Sequence, residues 1–99
     1  MNPIERNIDK LIELCKKYKV TKLYVFGSVS NGNFTSESDI DLLVRFDEIE
    51  LRNYADNYFD FKFSLEDLFK RKIDLLEEKA IKNPFFKESV NNSRVLIYG

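Results

Sequence analysis

The sequence has no histidine among its 99 residues. That absence removes imidazole general bases, Ser-His triads and histidine-ligated zinc together, so any metal here must be held by oxygen. Cysteine occurs once, as Cys15, which cannot close an internal disulfide. Its apolar neighbours at helical spacing make it a small core residue. No apolar run approaches the roughly 20 residues that span a bilayer, and the N-terminus lacks a basic, apolar, small-residue signal pattern. A cytoplasmic protein with no membrane contact is expected. Neither sign of charge dominates: 16 Lys and Arg stand against 17 Asp and Glu. No overall field draws the chain to nucleic acid, and direct nucleic-acid binding is not expected. Repeats, low-complexity segments and interdomain linkers are also missing. With 43% hydrophobic residues, residues 1–99 read as one compact domain.

What is present reads as a short series of helices and strands. Asn2-Pro3-Ile4-Glu5 has the form of a helix entry, with Asn2 as N-cap, Pro3 in the first turn and Glu5 reaching back. Ile4, Ile8, Leu11, Ile12, Cys15 and Tyr18 share one helical face, which predicts a helix over 3–18. Lys22 to Phe26, Asp39 to Phe46, Lys72 to Leu76 and Arg94 to Tyr98 have strand character. Gly27 to Ser38 is small and polar, enough for one helical turn and a loop. Apolar spacing from Leu51 predicts a long helix to about Arg71, with a break near Phe63-Ser64. Asn83-Pro84 opens a short helix through about Val90. The expected class is α+β: a small mixed sheet with helices packed on it.

The chemistry concentrates in three acids. Side chains alternate along a strand, so Asp39 and Asp41 face one way while Ile40 and Leu42 face a buried side. Their Cα atoms would lie roughly 7 Å apart, a spacing that lets both converge on cations about 3.5 to 4 Å apart. Asp74 stands alone among the apolar residues of Lys72-Ile73-Asp74-Leu75-Leu76. If that strand lies beside the first acids, three carboxylates meet. Bare, each pair would repel by up to about 4 kcal/mol, and a divalent cation such as magnesium or manganese resolves that repulsion. Magnesium bound this way keeps positions open for phosphate oxygens. Gly27-Ser28 supplies the other half, a close backbone approach and a hydroxyl for a phosphate. Singly, each feature has an ordinary reading: a capped turn, solvated acids at a strand end, an exposed strand residue. It is their order along one chain that points to a metal-nucleotide site.

Gly27-Ser28, ten intervening residues, Asp39-Ile40-Asp41 and a later Asp74 on a strand resemble the signature of the polymerase-β-type nucleotidyltransferase superfamily. Ser38, just before the first acid, is also typical of it. The small size resembles its minimal branch, the MNT antitoxins of HEPN/MNT toxin-antitoxin pairs. The resemblance implies a polymerase-β-like fold, with two magnesium ions on Asp39, Asp41 and Asp74 and the ATP triphosphate held by Gly27, Ser28 and Ser38. It further implies attack of an acceptor hydroxyl on the α-phosphorus of ATP, with AMP passing to a tyrosine of a partner HEPN toxin. Many members carry a basic residue where this chain has Asn31. Two other readings follow from the same residues. One is neutralisation of a partner by contact alone, through aromatics around Tyr54, Tyr58, Phe59 and Phe61. The other is nucleotidyl transfer to a small molecule, for which no acceptor-gripping second domain is visible.

Overall fold

The computed structural model describes residues 3–26 and 39–99. The Asn2 cap, the segment between β1 and β2, and with it Gly27, Ser28, Asn31 and Ser38, lie outside the described residues. The described elements are helices α1 (Pro3–Arg6), α2 (Ile8–Lys17), α3 (Leu51–Phe69) and α4 (Pro84–Ser93), with strands β1 (Val20–Phe26), β2 (Ile40–Phe46), β3 (Ile73–Glu77) and β4 (Val95–Tyr98). A single 3-10 turn, Glu78–Ala80, follows β3. The four strands form one mixed sheet in the order β3-β2-β1-β4. β1 runs antiparallel to β2 and β4, while β2 and β3 are parallel. The expected α+β class is what the chain forms.

Both faces of the sheet are covered, which is why its strands are apolar almost throughout. On one face Leu23, Val25, Ile40, Leu42, Val44, Ile73 and Leu75 pack with Leu11 and Cys15 of α2 and Phe61, Leu65 and Phe69 of α3. A smaller cluster on the other face joins Tyr24, Phe26 and Leu43 to Val90 of α4. Leu11, Cys15, Leu23, Ile40, Leu42, Phe61, Leu65 and Ile73 are wholly buried. At about 1.5 to 3 kcal/mol per fully buried large apolar side chain, this layer supplies the main force holding α2 and α3 on the sheet. No helix among the described residues is long and apolar enough to cross a membrane.

Two helices depart from the sequence expectation, each through a polar side chain. The helix expected over 3–18 is broken at Asn7, because the Asn7 side-chain amide donates to the Pro3 carbonyl at 2.9 Å. The Asn7 backbone N–H turns instead to Ile4, at 3.3 Å. A short polar side chain has displaced the regular backbone bond. The break expected near Phe63-Ser64 is absent, and α3 runs unbroken from Leu51 to Phe69. There the Ser64 hydroxyl bonds the Tyr18 hydroxyl at 3.2 Å, across to the end of α2. It is thereby drawn away from its own backbone, and Phe61, Leu65 and Phe69 continue one buried stripe past it. Lys70, in the left-handed region at φ 56°, ends the helix. At α4 the expected cap holds: the Asn83 side chain accepts from the Phe85 and Phe86 N–H groups at 2.9 and 3.2 Å.

Candidate active site

Parallel pairing of β2 with β3 aligns Ile40 with Ile73, Asp41 with Asp74 and Leu42 with Leu75. The apolar partners go to the larger core, and alternation sends both aspartates to the other face. Two acids 33 positions apart in sequence are thus set directly opposite each other. The two side chains are near enough that hydrogen bonding to Asp74 favours the protonated form of Asp41. Burial first, then that bond and the charge of Asp74, and last the charge of Asp39, push the Asp41 carboxyl from 3.8 up to about 6. Asp39 precedes β2 and is exposed, so it stands at the lip of the sheet while its charge still reaches Asp41. On the other side β1 ends at Phe26, which pairs with Asp41.

The donor set is made of carboxylates, which suits magnesium or manganese. Uncompensated negative charge on Asp41 is what such an ion would relieve, and in this respect the residues fit the group. Among the described residues no group of three acidic or cysteine side chains is placed to hold a metal ion, so the expected meeting of all three aspartates is not seen. Asp41 and Asp74 form a ready pair, and Asp39 is the exposed third carboxylate. Gly27, Ser28 and Ser38, the expected phosphate-holding residues, fall outside the described residues.

Sequence patterns offered Tyr54 and Tyr58 only as docking aromatics and did not single out Glu66, Glu77 or Glu78 beside this pair. Tyr58 of α3 donates its hydroxyl to the carbonyl of Leu75, the residue after Asp74. Burial, followed by the charge of Asp74, pushes the Tyr58 phenol above its ordinary value and keeps it a donor. One turn earlier Tyr54 donates to Glu77 Oε2. The Ile73 N–H, just before Asp74, donates to Glu66 Oε2 at 3.2 Å. Further along the acid-bearing face of β2, the Arg45 guanidinium pairs with Glu78 at 2.7 Å. Arg94 approaches the same carboxylate at 3.7 Å and lies 4.3 Å from the Tyr24 ring centre. No spacing rule reveals such partners, because each contact depends on how α3 and β3 meet. A groove of about 530 Å³ between α2 and α3 has Leu14, Tyr18, Phe63 and Leu68 in its wall and none of the three aspartates. The chemistry therefore belongs to the sheet end and not to that groove.

Residues 8–97 match the nucleotidyltransferase domain family. The chain belongs to the nucleotidyltransferase family. This nucleotidyltransferase is 37% identical over 81 residues to a candidate protein adenylyltransferase of Methanocaldococcus jannaschii, covering 82% of this chain and 80% of that one. Among solved structures it resembles a candidate minimal nucleotidyltransferase, with a TM-score of 0.78, 27% identity and coverage of 96% and 95% of the two chains. It also resembles a chain of a MntA-HepT toxin-antitoxin complex, with a TM-score of 0.70, 26% identity and coverage of 92% and 71%. The nucleotidyltransferase resemblance and its fold, first suggested by the Gly-Ser and aspartate spacing, are thus borne out. The aromatic docking set is altered: Phe61 is fully buried and unavailable to a partner, whereas Phe59 and Phe63 are 47% and 58% exposed.

Proposed function

We propose that this nucleotidyltransferase is an antitoxin that transfers AMP from ATP to a hydroxyl, a tyrosine of a partner HEPN toxin, and so neutralises it in the cytoplasm. The observation that carries this reading is the in-register Asp41–Asp74 pair, two carboxylates set opposite each other on adjacent strands. The matched M. jannaschii relative, named for protein adenylylation, supports a protein acceptor. Likeness to a toxin-antitoxin chain supports a toxin as that acceptor.

Asp39, Asp41 and Asp74 would hold two magnesium ions, or manganese, whose chemistry is to neutralise phosphate charge and lower the pKa of a bound hydroxyl. Asp41 and Asp74 orient the reacting groups from adjacent strands, a fixed geometry that costs nothing to assemble during the reaction. The acceptor oxygen forms a bond to the α-phosphorus, the bond from that phosphorus to the bridging oxygen breaks, and pyrophosphate leaves. The acceptor's proton passes to a carboxylate oxygen of Asp41, whose carboxyl is pushed up to about 6. Gly27, Ser28 and Ser38 are assigned to the triphosphate on the strength of the sequence motif.

The test incubates the protein with its toxin, magnesium and ATP labelled at the α-phosphate. Label should pass to the toxin with the wild type and not with Asp41→Asn. A stable complex that acquires no label overturns the proposal. A second reading, neutralisation by contact alone, is favoured by the exposed, stacked rings of Phe59 and Phe63 at 6.0 Å. It requires Asp41→Asn to neutralise as well as wild type.

A further inference from the structure

β3 is an edge strand, and its position decides whether Asp74 stands opposite Asp41. On a strand the N–H and C=O of one residue leave on the same side, and the side alternates along the chain. The Lys72 carbonyl accepts from Ile40 N–H on β2 at 3.2 Å, so Lys72 and Asp74 direct their backbone toward β2. Ile73 and Leu75 then direct theirs to the open edge. Exposed edge groups of this kind are free to slip or pair elsewhere unless something holds them.

Helix α3 holds both. Glu66 accepts from the Ile73 N–H on one side of Asp74, and Tyr58 donates to the Leu75 carbonyl on the other. The two side chains are eight residues apart on α3, two turns of one helix, and their backbone partners are two residues apart on the strand. Tyr58 also stacks against Tyr54, with centroids 6.5 Å apart and planes 18° from parallel. Its hydroxyl is thereby held in a packed ring position.

We infer that Tyr58 and Glu66 are positioning residues that clamp β3 on either side of Asp74 and so set the Asp41–Asp74 register. Neither touches the reacting atoms. The inference rests on the reading of Asp41 and Asp74 as metal-holding residues, and its consequence is measurable without catalysis. Outer groups that orient metal-holding side chains typically change metal affinity by about 10 to 100-fold when removed.

The experiment titrates manganese alone into the full chain, following bound ion by electron paramagnetic resonance, and measures kcat and KM for ATP with the toxin as acceptor. Tyr58→Phe keeps the ring and removes the hydroxyl. Glu66→Leu removes the acceptor, and Glu66→Gln retains one. Tyr58→Phe and Glu66→Leu should each weaken manganese binding about tenfold and lower kcat with little change in KM, while Glu66→Gln restores both. Tyr54→Phe, whose hydroxyl bonds the Glu77 side chain, should leave affinity unchanged. Amide hydrogen exchange at Asp74 should accelerate in Tyr58→Phe and Glu66→Leu while exchange on β1 stays slow. Asp74→Asn separates the two layers of the argument. If it weakens manganese binding and the clamp variants do not, the clamp is refuted and the site stands. If Asp74→Asn has no effect, the site assignment and the clamp fall together.

Discussion

Removing the charge of Asp41 should stabilise the metal-free protein while destroying its activity. Asp41 in the folded chain titrates near 6 instead of 3.8, so ionising it costs folding free energy. At about 1.36 kcal/mol per pH unit the ceiling is roughly 3 kcal/mol. Asp41 is partly exposed, and solvent screening reduces the figure to about 1 kcal/mol. For a domain of this length that amounts to a rise of about 4 to 8 °C in Tm for Asp41→Asn. The sign follows from the direction of the displacement. Below 3.8 wild-type Asp41 is protonated in both states and carries no penalty; the penalty grows as pH rises toward 6 and is complete above it. Melting curves in a chelator at about pH 8 should therefore favour the variant, and the gap should close at about pH 4. Manganese should raise the wild-type Tm and leave the variant's almost unmoved, because an ion that binds only the folded state stabilises it. A variant that melts no higher than wild type at about pH 8, or keeps its advantage at about pH 4, refutes the charge argument.

Proton competition at the same carboxyl should weaken manganese binding as pH falls through about 6, measurable by titration at fixed ionic strength; a pH-independent affinity would contradict it. Phe61→Ala empties the wholly buried position where α3 meets Tyr18 and Phe46, and should cost about 3 to 5 kcal/mol, read from the urea midpoint. Burial pushes the Cys15 thiol up to about 12, so a thiol reagent at about pH 8 should react only as the protein unfolds, and rapid native labelling would contradict the core assignment.

The sequence was most readable where one residue broke a pattern set by its neighbours. Asp74 interrupts an apolar run, and the strand predicted over Lys72 to Leu76 forms at Ile73–Glu77, with Asp74 facing Asp41. Asp39 to Phe46 was equally clear, because Ile40 and Leu42 demand burial and Asp41 cannot share it. Side chains that choose between local and distant partners were not readable. Asn7 breaks its helix by bonding Pro3, whereas Ser64 leaves its helix intact by bonding Tyr18, 46 positions away. Both residue types carry the same local ambivalence, and tertiary contact decides it. The Tyr58 and Glu66 contacts to β3 have no signature for the same reason. Phe59 and Phe61 were grouped as aromatics, although two positions on a helix turn by about 200° and must face opposite ways. One is nearly half exposed and the other sealed.

The most direct test of the central claim, that the Asp41–Asp74 pair is the centre of AMP transfer, is the intact mass of the toxin after incubation with this protein, magnesium and ATP. Wild type should add one or more adenylyl groups, mapped to tyrosine, and Asp74→Asn should add none while still binding the toxin. Equal modification by wild type and Asp74→Asn, or an unmodified toxin in a formed wild-type complex, would contradict the account.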